Sequence, residues 1–174
     1  MIPDPGALRG FFDHVRWADL TQFEAARTLD DAAYFTDHGF SFGTLHKVML
    51  HMLSAQNVWL LRFERQPMVW LMDEPSLALR SAVEPAWRGI HERLDAFLAR
   101  QTRASLEEEL LFKNLRGDAF RAPLWRLVTH VLNHSTIHRG QFNSMLRLSG
   151  ATPPAVDYWS WVVKTIPTTV QHGV

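Results

Sequence analysis

The sequence predicts an all-α fold, a bundle of four main helices. Two observations carry this. Four segments repeat apolar residues at three- and four-residue steps, the spacing of one helical face, and no segment has a strong strand pattern. The 174 residues suit one domain running through residues 1–174, with its core at about 8–163. At 47% apolar and 21% charged, the chain has the composition of a folded protein with a substantial core.

The first helix follows Pro3 and Pro5, with the stripe Leu8, Phe11, Phe12, Val15, Ala18 and Phe23, and is expected to end near Leu29. Asp30, Asp31, Asp37, Gly39 and Gly43 mark residues 30–43 as a loop, after which Ser41 or Thr44 is placed to cap the next helix. That second helix is predicted from Leu45 to Phe63. Its stripe runs Leu45, Val48, Met49, Met52, Leu53, Gln56, Trp59, Leu60 and Phe63. Pro67 and Pro75 break the stretch that follows, a bent connection around residues 66–82. Pro85 suits the first turn of a third helix carrying Trp87, Ile90, Leu94, Phe97 and Leu98. Residues 104–121 are less periodic, and Arg116-Gly117 between two apolar runs fits a short hairpin or a loop. The fourth helix is bracketed by Pro123 and Gly150, with the stripe Leu124, Leu127, Val128, Val131, His134, His138, Phe142 and Met145. A short terminal helix is expected over Asp157–Lys164, and a frayed tail from Pro167.

Composition removes several function classes. Lys plus Arg and Asp plus Glu are both 18, so no global field attracts nucleic acid. Cysteine is absent, which excludes disulfides, iron–sulfur clusters, thiolate zinc sites and a catalytic cysteine. No apolar run is long enough for a membrane span, and Met1-Ile2-Pro3-Asp4-Pro5 is not a signal peptide, so the default expectation is a cytoplasmic protein.

Nine histidines remain conspicuous. His130, His134 and His138 recur every fourth residue, so each is turned about 40° from the last and all lie along one helical face. His134 and His138 fall within the apolar stripe, with His130 at its edge. A buried imidazole needs partners for its ring nitrogens, and two such rings one turn apart are hard to satisfy within an apolar stripe. A divalent metal resolves this by taking one nitrogen from each. A further ligand then has to come from another helix. His46 lies about 20° outside the second helix's stripe and His51 about 60°, so periodicity slightly favours His46 without deciding between them. His14, His38, His91 and His172 have no such company, and surface or capping roles are expected for each.

At these residues the chain resembles the DinB/YfiT-like family of bacterial proteins. Three pieces carry the resemblance: Leu50-His51-Met52 through Trp59, the run His130-Val131-Leu132-Asn133-His134-Ser135-Thr136-Ile137-His138-Arg139-Gly140-Gln141, and Phe11-Phe12 through Trp17-Ala18-Asp19. It implies a four-helix bundle with up-down-down-up topology and a long crossover, often a homodimer. It also implies a divalent metal held by His51, His134 and His138, with His51 in place of His46. His130 matches a family position that is not a usual ligand and is read as supporting the site. Where relatives carry an acidic residue in the second helix, this chain has Gln56-Asn57. The family name refers to induction by DNA damage, a transcriptional label.

Three neutral imidazoles would leave a divalent ion its full charge and an open position, enough to activate water or a small thiol. Zinc, nickel and iron all accept such ligands. Some relatives look like transferases that use a low-molecular-weight thiol as cosubstrate. By position, Asn133, Arg139, Gln141 and His130 are the residues placed to orient ligands or substrate, although Asn133 and Gln141 equally suit helix–helix hydrogen bonds. No catalytic side chain is singled out. Two readings follow: a metal-dependent hydrolase or thiol S-transferase acting on a small molecule, and a non-catalytic, stress-associated metal-binding bundle or dimeric interaction protein.

Overall fold

A computed structural model describes residues 2–114 and 116–166; His172 and the tail from Pro167 lie outside them. The elements are α1 (Pro5–Ala26), α2 (Asp31–Phe35), α3 (Leu45–Phe63), a 3-10 turn (Pro75–Leu77), α4 (Arg80–Ala99), α5 (Arg103–Glu107), β1 (Glu109–Lys113), β2 (Ala119–Pro123), α6 (Leu124–Leu148) and α7 (Tyr158–Thr165). The long helices α1, α3, α4 and α6 form the bundle, and their apolar faces meet in one core.

Side-chain pairings give each helix its direction. His51 meets His138 and Trp59 meets His130, so α3 and α6 are antiparallel. Gln56 meets Trp87 and Phe63 stacks on Phe97, so α3 and α4 are parallel. Arg27 pairs with Glu84, Asp19 with His91 and Arg16 with Asp95, so α1 and α4 are antiparallel. Gln22 bonds to Arg139 and Asn143 while Val15 faces the same cavity as Leu132, so α1 and α6 run together. The order is up, down, down, up. Because α3 and α4 are parallel, residues 64–79 must travel back along the bundle before α4 can begin.

Local chemistry explains the boundaries. Thr44 caps α3 through the Lys47 amide, and Asp157 caps α7 through Ser160. α6 ends in a Schellman turn: Gly150 sits at φ +92°, where a side chain would be strained, and Ala151 N–H donates to the Leu146 carbonyl at 2.9 Å.

Several expectations are corrected or resolved. α1 stops at Ala26, short of Leu29, and residues 30–43 are not all loop: Asp30 accepts from the Ala33 amide and starts α2. α4 begins a turn before the position expected from Pro85, which lies inside it. Arg80 anchors that extra turn by donating to the Ala26 and Leu29 carbonyls at the end of α1, with its guanidinium 4.4 Å over the Tyr34 ring. Of the two alternatives for residues 104–121 the hairpin is found, β1 pairing with β2, and the short helix α5 before it was not expected. Finally, His14 and His91 are buried rather than superficial. His14 Nε2 donates to the Val156 carbonyl at 3.0 Å, and His91 Nε2 lies 3.2 Å from Asp19 Oδ2. His38 is half-buried and bonds to Ser149 Oγ at 2.8 Å.

Asp19 is only 1% exposed, so its charge depends on these partners. Oδ2 accepts from Gln56 as well as His91, and Gln56 in turn accepts from the Trp87 indole N–H. Three helices are thereby tied together across the bundle interior. Trp87 also sets its ring edge-on to Phe23 at 4.9 Å. Trp87→Ala is expected to cost about 3–5 kcal/mol in chemical denaturation; a loss below about 1 kcal/mol would contradict this packing.

Candidate metal centre

The antiparallel contact between α3 and α6 is where the histidines gather. One turn of α6 separates His134 from His138, and α3 brings His51 against both. His138 Nε2 lies 3.1 Å from His51 Nε2 and 3.1 Å from His134 Nε2. The three available nitrogens all fall within 4.8 Å of one another. Metal–nitrogen bonds of about 2.0–2.1 Å in a tetrahedron put ligand nitrogens about 3.3 Å apart, so the spacing fits a small divalent ion.

The environment favours the neutral form of His51 and His134. Burial, reinforced by the neighbouring His138, pushes the His51 pKa down to about 4. Burial and the surrounding imidazoles push His134 down to about 4 as well. His138 is oriented from behind: its Nδ1 donates to Gln141 Oε1 at 2.7 Å, and the Ser41 hydroxyl donates to the same oxygen at 3.1 Å. A proton fixed on Nδ1 leaves Nε2 as a lone pair directed at the other two rings, the arrangement that metal-binding histidines use.

Neighbouring segments complete the walls. Phe42 stacks on His51 at 4.2 Å and Trp70 approaches it at 6.1 Å. The crossover that carries Trp70 is footed on α3: Asn57 Nδ2 donates to the Val69 carbonyl, and Ser54 Oγ accepts from the Leu71 amide, both at 3.0 Å. His130 is exposed, with its ring 5.7 Å from His134 and 5.0 Å from Trp59.

Of the other residues singled out in the sequence, Gln141 reaches the cluster and two do not. Asn133 and Arg139 line a separate cavity on the opposite side of α6, because 100° per residue turns positions 133 and 139 well away from 134 and 138. His46 is buried against Tyr34 and Phe35, remote from the three rings. Gln56 and Asn57 serve the interior and the crossover. Ser41, Phe42 and Trp70 escape a reading based on helical periodicity because they sit on loops. Their sequence signals are indirect: Ser41 stands out only as a cap candidate beside Gly39 and Gly43, and Trp70 only by lying between Pro67 and Pro75.

The DinB family's sequence profile matches residues 6–168. The chain belongs to the DinB family. Protein DinB of Bacillus subtilis (strain 168) is 24% identical over 162 residues, covering 88% of this chain and 92% of that protein. The crystal structure of a DinB-like protein from Bacillus cereus ATCC 10987 superposes with a TM-score of 0.62 at 20% identity, covering 85% of this chain and 96% of that one. This likeness matches the all-α bundle seen here. Among the described residues, no helix of this DinB member is long and apolar enough to cross a membrane.

The depressed pKa values carry a stability consequence. As pH falls, the unfolded chain takes up protons on residues 51 and 134 near the ordinary value of 6.5, before the folded chain does. The stability of metal-free protein is therefore expected to hold above about pH 6.5 and to fall progressively as pH drops through about 4. Urea denaturation of chelator-treated protein across this window measures it. A slope unchanged in the His51→Ala/His134→Ala double variant would contradict the assignment.

Proposed function

We propose that this DinB-family protein is a divalent-metal-dependent enzyme, a hydrolase or thiol S-transferase acting on a small molecule. His51, His134 and His138 are its metal ligands. One observation carries the reading: three imidazole Nε2 atoms converge from two helices, with the central ring anchored through its opposite nitrogen. A divalent cation with a free coordination position supplies Lewis acidity, making a water or a thiol a better nucleophile at neutral pH. The chain's own part is to present neutral nitrogens and to hold them still. Gln141 keeps the His138 proton on Nδ1, Ser41 steadies Gln141, and Phe42 covers one face of His51. Zinc, nickel or iron suits an all-imidazole set. The absence of cysteine agrees with a thiol supplied from outside, as a low-molecular-weight cosubstrate. A cytoplasmic homodimer that binds neither nucleic acid nor membrane belongs to the same reading, on the strength of the balanced charge and the family resemblance.

A non-catalytic metal-binding bundle is favoured by a different observation. The group consists of imidazoles alone, and the partner of His138 is an amide, so among the described residues no carboxylate joins the cluster as a proton acceptor. In that case the protein carries metal but turns over neither thiol conjugates nor simple esters.

Elemental analysis and an activity screen with those two substrate classes test both. His134→Ala is expected to reduce bound metal to background, while His46→Ala keeps it; full occupancy in His134→Ala overturns the ligand set. Gln141→Leu is expected to weaken metal affinity about 10–100-fold with the fold intact, because His138 loses the partner that orients it. Turnover that persists after chelation and in His134→Ala would refute metal dependence at this site, and metal-loaded protein that turns over neither substrate class would favour the non-catalytic reading.

A further inference from the structure

On the face of α6 turned away from the histidines lies a cavity of about 610 Å³, walled by α1, α6 and residues 154–158. That volume is typical of small-molecule sites. Its lining is mostly apolar, with Phe11, Leu132 and Tyr158 prominent. Arg139 also lines it and is only 4% exposed. Nη2 donates to the hydroxyl of Thr136, another wall residue, at 2.9 Å. Nη1 is closed off from solvent and has no hydrogen-bond partner among the described residues. Asp19 attracts this guanidinium, but no hydrogen bond or ion pair joins the two: Asp19 Oδ2 meets Gln56 and His91, and Asp19 Oδ1 is buried without a hydrogen-bond partner among the described residues. A buried cation with an idle donor is costly, and an anionic acceptor removes that cost.

We infer that this cavity binds a small amphipathic monoanion, an aryl or branched-alkyl carboxylate whose carboxyl group meets Arg139 and whose apolar part lies along Phe11, Leu132 and Tyr158. The charge is set by the wall, where Arg139 is the cationic side chain and Asp157 adds a carboxylate that disfavours a dianion. The apolar lining sets the rest of the ligand. The site is independent of the metal reading.

Calorimetric titration with 4-phenylbutyrate and with its neutral isostere 4-phenylbutyramide tests this. The acid is expected to bind saturably and the amide at least about ten-fold more weakly, the usual margin for a charge-assisted hydrogen bond. Arg139→Gln should erase the difference. Should that variant fail to fold, Gly140→Leu carries the test: Gly140 lines the cavity, a Cβ there meets nothing within 4 Å, and leucine favours the helix. It should intrude on the ligand's space and abolish binding of both ligands. The titration is repeated in His134→Ala, where persistence of acid binding places the ligand in the cavity. Loss there places it at the histidines and overturns the proposal. Equal affinity for acid and amide, binding that survives Gly140→Leu, or no binding at millimolar concentrations also overturns it. The last outcome is expected if a water bridging Asp19 and Arg139 satisfies the guanidinium instead.

Discussion

Neutral imidazoles can share a small space only if their lone pairs have something to point at. In this protein three Nε2 atoms face one another, and His138 has its proton held on the far side of the ring by Gln141. Two ways of satisfying the group exist: one neighbouring ring donates its N–H to the single lone pair of His138, or a cation takes all three lone pairs. The first leaves His51 and His134 free to protonate further only at a cost, since burial holds both far below their usual pKa. The second uses the rings as they stand. The antiparallel seating of α3 on α6 is what creates this choice, and the remainder of the fold keeps those two helices in register.

That register is fixed from the interior. Asp19 on α1 receives hydrogen bonds from Gln56 on α3 and meets His91 on α4. Gln22, one turn further along α1, donates to the Arg139 carbonyl and to Asn143 on α6. A buried polar network of this kind contributes less to stability than the same volume of hydrocarbon would, but it penalises any sliding of one helix against another, because a shift by one residue strands a charge. His51 lies on the same helix as Gln56, and His138 adjoins Arg139. The network and the histidine cluster thus share two helices, and an error in one would be felt in the other.

Much of this was legible in the sequence. The period of apolar residues located α3 and α6, and Pro123 and Gly150 bracketed α6. His134 and His138 were visible because four-residue spacing on one helix is a local property. The choice of His51 over His46 came from the family resemblance; periodicity leaned the other way, since a wheel describes one helix and the choice depends on its neighbour. The same limit explains His91 and His14, whose partners are 72 and 142 residues away. Arg139 looked like a companion to His138 because it is adjacent in sequence, yet one step of 100° sends it to the other side of the helix. α2 was masked by turn residues, and the early start of α4 depends on Arg80 finding carbonyls at the end of α1.

The crossover has a consequence for how such proteins diverge. Its footing on α3 uses Ser54 and Asn57 to grip main-chain atoms, and Leu71 and Met72 pack against the core, so the side chains of Met68, Val69 and Trp70 are not part of the grip. Met68, Val69 and Trp70 are 41%, 50% and 38% exposed and lie outside the bundle's core. Substitutions there can remodel the approach to His51 at little expense to folding. A lineage could change what it admits by drifting in this strap while the imidazoles and the interior network stay as they are.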